Sequence, residues 1–230
     1  HSGDRVPTQE ATAYKHVLDA LDVRTDLAPA ESAEMTDEVG FGFYYQPRFN
    51  PEVDALVDRR REMGVRTFVN TIETLANPAN ADVHLGSFYH LAFATRIVDT
   101  VRALESQSID RVLMFQGLEG YDDVRPGSTV VAEWDGGDLA DFEIETANFG
   151  MDFEREALAV ENVATDSAAI TEAVLSGERS GDFADAVALN AALRLYAGEV
   201  VEDLQEGVDA ARNAIATGDA ADRLAALRAF

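Results

Sequence analysis

The chain has 230 residues, 47% of them hydrophobic, which is enough to fill a large core. It has no cysteine, which excludes disulfide scaffolds, thiolate metal sites and cysteine nucleophiles. Its formal charge of −25 is spread along the chain, with Lys15 the one lysine, and this pattern reads as salt adaptation rather than as a basic groove for nucleic acid.

No run approaches the roughly 18 apolar residues of a membrane helix, and the first residues lack the order of a signal peptide. The expectation is a soluble, cytoplasmic protein with no membrane contact.

In chain order, residues 1–9 read as a loop with no strand before it. Runs rich in β-branched and aromatic residues predict strands at 39–45, 66–70, 85–89, 111–116, 128–134 and 142–146. Between them, Asn50 followed by Pro51 predicts an N-capped helix over 51–63. Leu91, Ala94, Ile97, Val98, Val101 and Leu104 predict another over 90–104. Asp135-Gly136-Gly137-Asp138 reads as a hairpin turn.

Beyond about residue 150 the pattern turns helical, at 167–175, 183–196, 201–216 and 220–230, with Gly177, Gly181, Gly198 and Gly218 at expected C-caps. The expected fold class is α/β: a largely parallel central sheet flanked by helices, with an all-helical C-terminal region covering it. Residues 1–230 are expected to form a single catalytic-type domain, 1–150 carrying the sheet and 151–230 the covering helices.

Ligands of open α/β sheets bind beyond the carboxyl ends of strands, so polar loops after apolar strands are the first places to look. Gly117-Leu118-Glu119-Gly120-Tyr121-Asp122-Asp123 follows the apolar run 111–116. Two adjacent carboxylates offer hard oxygen ligands of the kind that hold Mg2+ together with substrate phosphates, and a solvated acidic turn is the competing reading.

Gly3, Asp4, Arg5 and Thr8 could grip a phosphate through backbone, guanidinium and hydroxyl groups; a disordered terminus is an equal reading. Arg59-Arg60-Arg61 stands out in a chain short of cations, though neutralisation of Glu52, Asp54, Asp58 and Glu62 is reason enough for it. Asn70-Thr71-Ile72-Glu73 and the Asn77-Pro78 turn are further polar groups after a predicted strand. His16, His84 and His90 show no metal-ligand spacing, and no serine sits in a nucleophile elbow.

Taken in order, these fragments resemble the anthranilate phosphoribosyltransferase family or a close paralogue in the glycosyltransferase and nucleoside phosphorylase-like superfamily. Gly3-Asp4-Arg5 is similar to its Gly-Asn-Arg loop, and Val17-Leu18-Asp19-Ala20-Leu21 to its Val-Leu-Glu-Ala-Leu helix. Residues 64–70 with Asn77-Pro78-Ala79 resemble its Gly-x-Arg-Thr…Asn…Asn-Pro-Ala segment. Residues 117–123 resemble Gly-x-x-Gly-x-Asp-Glu, Asn148-Phe149-Gly150 resembles Asp-Phe-Gly, and 190–196 resembles Asn-x-Ala-x-x-Leu-Tyr.

The resemblance implies transfer of ribose 5-phosphate from phosphoribosyl pyrophosphate to an aromatic amine such as anthranilate, in tryptophan biosynthesis, with release of pyrophosphate and with Mg2+ as cofactor. It makes Asp122 and Asp123 the metal pair and Asp4 and Arg5 part of the substrate loop. Thr8 joins that loop, Asn50 falls in the acceptor-binding segment, and Arg60 faces the acceptor's carboxylate. A homodimer is one assembly it allows.

It also implies that the opening third of a family chain, with its helical segment and pyrophosphate loop, is absent here, so that this polypeptide alone is expected to be inactive. Asn50 stands where biosynthetic members carry a histidine, and Val6-Pro7-Thr8-Gln9 replaces a serine-rich run, which leaves the acceptor open. The alternative expectation is a non-biosynthetic paralogue that binds nucleotides or nucleic acid, against which the net charge argues.

Overall fold

The computed structural model describes residues 1–3, 12–63, 68–104, 108–117 and 123–230; for Arg60, Arg61, Phe68 and Asn70 it describes the backbone alone. The described elements are α1 (Tyr14–Ala20), α2 (Pro29–Val39), α3 (Gln46–Phe49), α4 (Pro51–Asp54), α5 (Val57–Met63), α6 (Phe68–Leu75) and β1 (Val83–Phe88). There follow α7 (Leu91–Ala103), β2 (Arg111–Gln116), β3 (Ser128–Trp134), β4 (Ala140–Glu145), α8 (Val163–Leu175), α9 (Asp182–Ala197), α10 (Leu204–Thr217) and α11 (Asp219–Ala229). Among the described residues no helix is long and apolar enough to cross a membrane.

The chain folds into two compact units, and each is built from separated stretches of sequence. One comprises His1–Ala79, Val160–Leu175 and Gly218–Phe230; the other comprises Asn80–Ala159 and Ser176–Thr217. This division does not follow the expected change of character near residue 150. α8 and α11 join the first unit, while α9 and α10 join the second.

In the helical first unit, α2 begins on Pro29, and Glu31 reaches back to accept the Ala28 N–H at 2.9 Å, half of a capping box. Ser32, Met35 and Val39 are its buried residues, spaced to share one helical face. The helix stops at Gly40, whose φ of +75° is a left-handed cap that a side chain would strain.

Met35 and Val39 pack with Leu21, Val23, Leu27, Ala168, Leu224 and Leu227 into one core. Arg228 ties α11 down by donating to Leu21 O at 2.7 Å and pairing with Glu172 at 2.8 Å.

Two predicted strands are absent among the described residues. Val39 closes α2, and of the rest of 39–45 only Tyr45 makes a β contact, a bridge to Ser2. Residues 68–70 of the second open the helix α6. Short apolar runs of this length do not discriminate strand from helix by periodicity. The helix predicted over 51–63 breaks into α4 and α5 at Ala55 and Leu56.

The second unit is built on a four-stranded sheet in the order β1-β2-β3-β4. β1 and β2 are parallel and joined through α7, which buries Ala94, Ile97, Val98 and Val101. β2 with β3 and β3 with β4 are antiparallel, so the described sheet is mixed rather than largely parallel. The reason lies in the connections: 135–139 is too short for anything but a hairpin, whereas 89–110 has room for a helical crossover.

β2 is interior and buried on both faces: Val112, Leu113, Met114 and Phe115 are all fully buried. Leu113 and Phe115 join Val131, Ile144, Ala188, Leu189, Ala192 and Leu193 in the core under α9. α10 packs on α9, with Gly207 against Ala192.

Of the C-terminal helices, α9 and α10 belong to the sheet unit, and α8 and α11 to the helical one. In the sheet unit α9 meets β2, and α10 lies on α9.

Candidate functional site

β2 ends at Gln116, and its carboxyl end is where a ligand of an open sheet is expected. The next residue, Gly117, donates its N–H to Phe88 O at 3.0 Å, so the start of the loop is tied to the end of β1. Asp122 lies outside the described residues, which resume at Asp123.

The Asp123 carboxylate is 38% exposed and accepts from Arg125 Nε at 3.0 and 3.2 Å. An exposed pair of this kind contributes about 0–1 kcal/mol, so a divalent cation can outcompete the guanidinium for those oxygens. A carboxylate is a hard oxygen donor of the kind Mg2+ takes, and among the described residues no group of three or more histidine or carboxylate side chains is gathered to hold a metal ion.

The backbone beside this carboxylate is firmly held. Val124, only 2% exposed, donates its N–H to Asn190 Oδ1 at 2.8 Å and accepts at its carbonyl from Asn190 Nδ2 at 2.8 Å. Three residues on, Gly127 N–H donates to Thr146 Oγ1 at 2.8 Å, and Thr146 N–H donates to Gly127 O at 2.9 Å. Gly117, Val124 and Gly127 are thus fastened to β1, to α9 and to Thr146 just after β4, and Asp123 is exposed next to the held Val124.

Asn190 was visible in the sequence only as part of a helical motif. Its signal is a polar side chain, a poor helix former, next to the buried Leu189, Ala192 and Leu193.

In the helical unit, the start of the expected substrate loop meets the segment around Asn50. Ser2 N–H donates to Tyr44 O at 3.3 Å and Gln46 N–H to Ser2 O at 3.0 Å, forming a parallel bridge. Buried Gln46 lies within 2.6 Å of His1 Nδ1 and takes a hydrogen bond from Asn50 Nδ2. Asn50 occupies the cap position before Pro51, but its side chain turns to Gln46 and makes no cap bond, contrary to the N-cap expectation.

A Cβ placed on Gly3 would lie 4.0 Å from Glu73 Oε1 and 3.9 Å from Gln46 Cβ. Glu73, named in the sequence only as a polar residue after a predicted strand, therefore borders the point where the loop departs. Asp4, Arg5 and Thr8 lie outside the described residues, as does the side chain of Arg60 on α5.

A cavity of about 530 Å³ lies elsewhere in the sheet unit, lined by Arg111, Tyr196, Glu199, Val200, Val201, Glu202 and Glu206. It sits at the amino end of β2, the wrong end for a ligand of an open sheet. Its Arg111 is committed to structure: Nε donates to Glu133 Oε1 at 2.8 Å, Nη1 to Tyr196 O at 2.9 Å and to Ala197 O at 3.2 Å. Burial pulls the Arg111 pKa down, but the hydrogen bond and charge of Glu133 carry it above its ordinary value. Burial and the same carboxylate hold the Tyr196 hydroxyl pKa up.

Comparison with known proteins gives the fold its relatives. Residues 11–221 match the model of the glycosyl transferase family, a/b domain. Anthranilate phosphoribosyltransferase of Natronomonas pharaonis is 34% identical over 215 residues, covering 93% of this chain and 63% of that protein. The crystal structure of anthranilate phosphoribosyltransferase from Thermus thermophilus superposes with a TM-score of 0.84 at 30% identity, over all of this chain and 67% of that one.

The enzyme from Saccharomyces cerevisiae in complex with PRPP and Mg shares the fold, with a TM-score of 0.83 at 19% identity over 99% of this chain and 62% of that one. The chain spans slightly less than two thirds of the length of the first curated relatives it matches, 63% for the protein of Natronomonas pharaonis. With a family match from residue 11 to residue 221 and relatives of one kind along its whole length, this chain belongs to the glycosyl transferase family with the α/β domain, the family of the anthranilate phosphoribosyltransferases.

Proposed function

We propose that this protein transfers a phosphoribosyl unit from phosphoribosyl pyrophosphate to the nitrogen of an aromatic amine, releasing pyrophosphate in an Mg2+-dependent reaction. It does so as a salt-adapted cytoplasmic member of its family, and anthranilate, the acceptor of tryptophan biosynthesis, is the first acceptor to test. The observation that carries the reading is Asp123, an exposed carboxylate next to the held Val124 in the segment that follows an interior strand. The family relationship over the whole chain supports it.

Asp122 and Asp123 are the residues that would hold Mg2+. When bound there, the ion supplies charge neutralisation for the departing pyrophosphate. The anchored backbone keeps the Asp123 carboxylate in place before substrate arrives, so little reorganisation is needed as the bond to C1 of the ribose breaks. The centre that develops is oxocarbenium-like and is captured directly by the amine, so no covalent nucleophile is required. In the helical unit we assign Asp4, Arg5 and Thr8 to phosphate and ribose contacts, Asn50 to the acceptor and Arg60 to the acceptor's carboxylate.

Calorimetric titration of phosphoribosyl pyrophosphate into the chain in molar KCl tests this. Heat of binding is expected with Mg2+ present and absent without it. No Mg2+-dependent heat, together with tight binding of a single-stranded oligonucleotide, would overturn the reading in favour of a nucleic-acid-binding protein.

A further inference from the structure

We infer that Asn190 is the positioning residue of the metal-facing loop, fixing the Asp123 carboxylate through the backbone of Val124; this rests on the reading of Asp123 as an Mg2+ ligand. The side chain lies in the middle of α9, next to Leu189, Ala192 and Leu193, which are fully buried in the core under the sheet. Asparagine is a poor choice there on helix propensity, and an apolar residue would pack at least as well.

What it provides instead is a two-way pairing with one peptide segment. Oδ1 accepts the Val124 N–H at 2.8 Å, and Nδ2 donates to the Val124 carbonyl at 2.8 Å. The remaining Nδ2 proton goes to Ala186 O at 3.0 Å, one turn back, which fixes the rotamer. Only a carboxamide carries a donor and an acceptor side by side on one short stem. A carboxylate would set negative charge against two carbonyl oxygens, and an alanine would leave the Val124 amide and carbonyl without these partners.

The consequence falls on Asp123, the residue directly before Val124. With position 124 held by Asn190 and its side chain sunk in the core, the Asp123 carboxylate moves only about its own torsions. Its oxygens are already offered to a cation, since Arg125 occupies them from two residues away. Residues that hold a metal ligand in place typically change metal affinity about ten- to hundredfold when removed.

The test is an electron paramagnetic resonance titration of Mn2+, standing in for Mg2+, with pyrophosphate present and the 230-residue chain in molar KCl. Asn190→Ala and the size-matched Asn190→Asp are each expected to weaken Mn2+ binding about ten- to hundredfold. In an Asp123→Asn background, Asn190→Ala is expected to change Mn2+ affinity no further. Hydrogen exchange should show the Val124 amide losing protection in Asn190→Ala while the α9 amides keep theirs.

If Asn190 only stabilised the fold, the variants would melt earlier yet bind Mn2+ as the wild type does, and that result would overturn this inference alone. A wild-type chain that binds no Mn2+ with pyrophosphate would overturn the reading of Asp123 and this inference with it.

Discussion

Arg111 holds the amino end of β2 to the last turn of α9, the helix that carries Asn190, so its removal tests the frame beneath the proposed site. Its side chain is 12% exposed and that of its partner Glu133 is 16% exposed. The guanidinium bonds Glu133 and the carbonyls of Tyr196 and Ala197, and it stacks 4.6 Å from the centre of the Tyr196 ring. The Tyr196 hydroxyl in turn donates to Glu133 Oε2 at 3.2 Å. Arg111→Met therefore takes the charged partner from Glu133, leaving it the Tyr196 hydroxyl, and takes a donor from the carbonyls of Tyr196, which keeps the Glu199 N–H, and of Ala197.

Breaking a buried pair by deleting one partner costs about 3–5 kcal/mol, and the residual exposure here places the loss near the lower end, about 3 kcal/mol. At roughly 2–4 °C per kcal/mol for a chain of this size, the melting temperature should fall by about 6–12 °C. The single tryptophan, Trp134, is largely buried at the end of β3, so its fluorescence in molar KCl follows the sheet unit directly. Adding Glu133→Leu removes the stranded charge and should recover part of the loss. A melting temperature within about 2 °C of wild type for Arg111→Met, or a double variant that is worse than the single, would refute the reasoning.

Other consequences can be measured on the same chain. A Cβ on Gly207 would lie 2.8 Å from both Cα and Cβ of Ala192. Gly207→Ala should thus be destabilising, since overpacking of about 1–3 kcal/mol outweighs the roughly 1 kcal/mol of helix propensity gained; a more stable variant in denaturant titration would contradict the close approach of α10 to α9. His84 is buried, its Nε2 has no hydrogen-bond partner among the described residues, and burial holds its pKa below the ordinary value of 6.5. The unfolded chain therefore takes up this proton first, and stability is lost as pH falls below about 6.5. His84→Leu should flatten that part of the stability profile, and an unchanged slope would count against it. With a net charge of −25, the melting temperature should rise steeply from dilute buffer to molar KCl as the screening length shortens from about 10 to 3 Å; a flat dependence would remove the case for salt adaptation.

Local signals were legible where one segment contained the whole cause. The continuous run Val112 to Phe115 announced an interior strand, the spacing of Ala94, Ile97, Val98 and Val101 announced α7, and Asp135-Gly136-Gly137-Asp138 announced a hairpin. That same hairpin already implied antiparallel pairing, which the expectation of a largely parallel sheet overlooked.

Segment 39–45 misled because Val39 belongs to the helical spacing Ser32, Met35, Val39 behind it, not to the aromatic run ahead. The assignment of α8 and α11 to the unit of α1 and α2 was not legible, because a helix's apolar face does not record which distant helix will cover it.

At the candidate site, the position of the acidic loop after a strand could be read from order along the chain. Two things could not. The Asn190 clamp joins residues 66 apart in sequence, and the approach of Glu73 to Gly3 needs the chain to return across 70 residues.

The most direct test of the central claim, that Asp123 is a metal ligand of a phosphoribosyl-transfer site, is Mg2+ affinity in the presence of phosphoribosyl pyrophosphate, measured in molar KCl. At that salt the screening length is about 3 Å, so a carboxylate that merely adds to the general negative field has little effect. Asp123→Asn should weaken Mg2+ binding at least about tenfold, Arg125→Ala should strengthen it by freeing the carboxylate, and neutralising the exposed Asp219 of α11 should leave it unchanged. Equal affinities for Asp123→Asn and wild type would contradict the account.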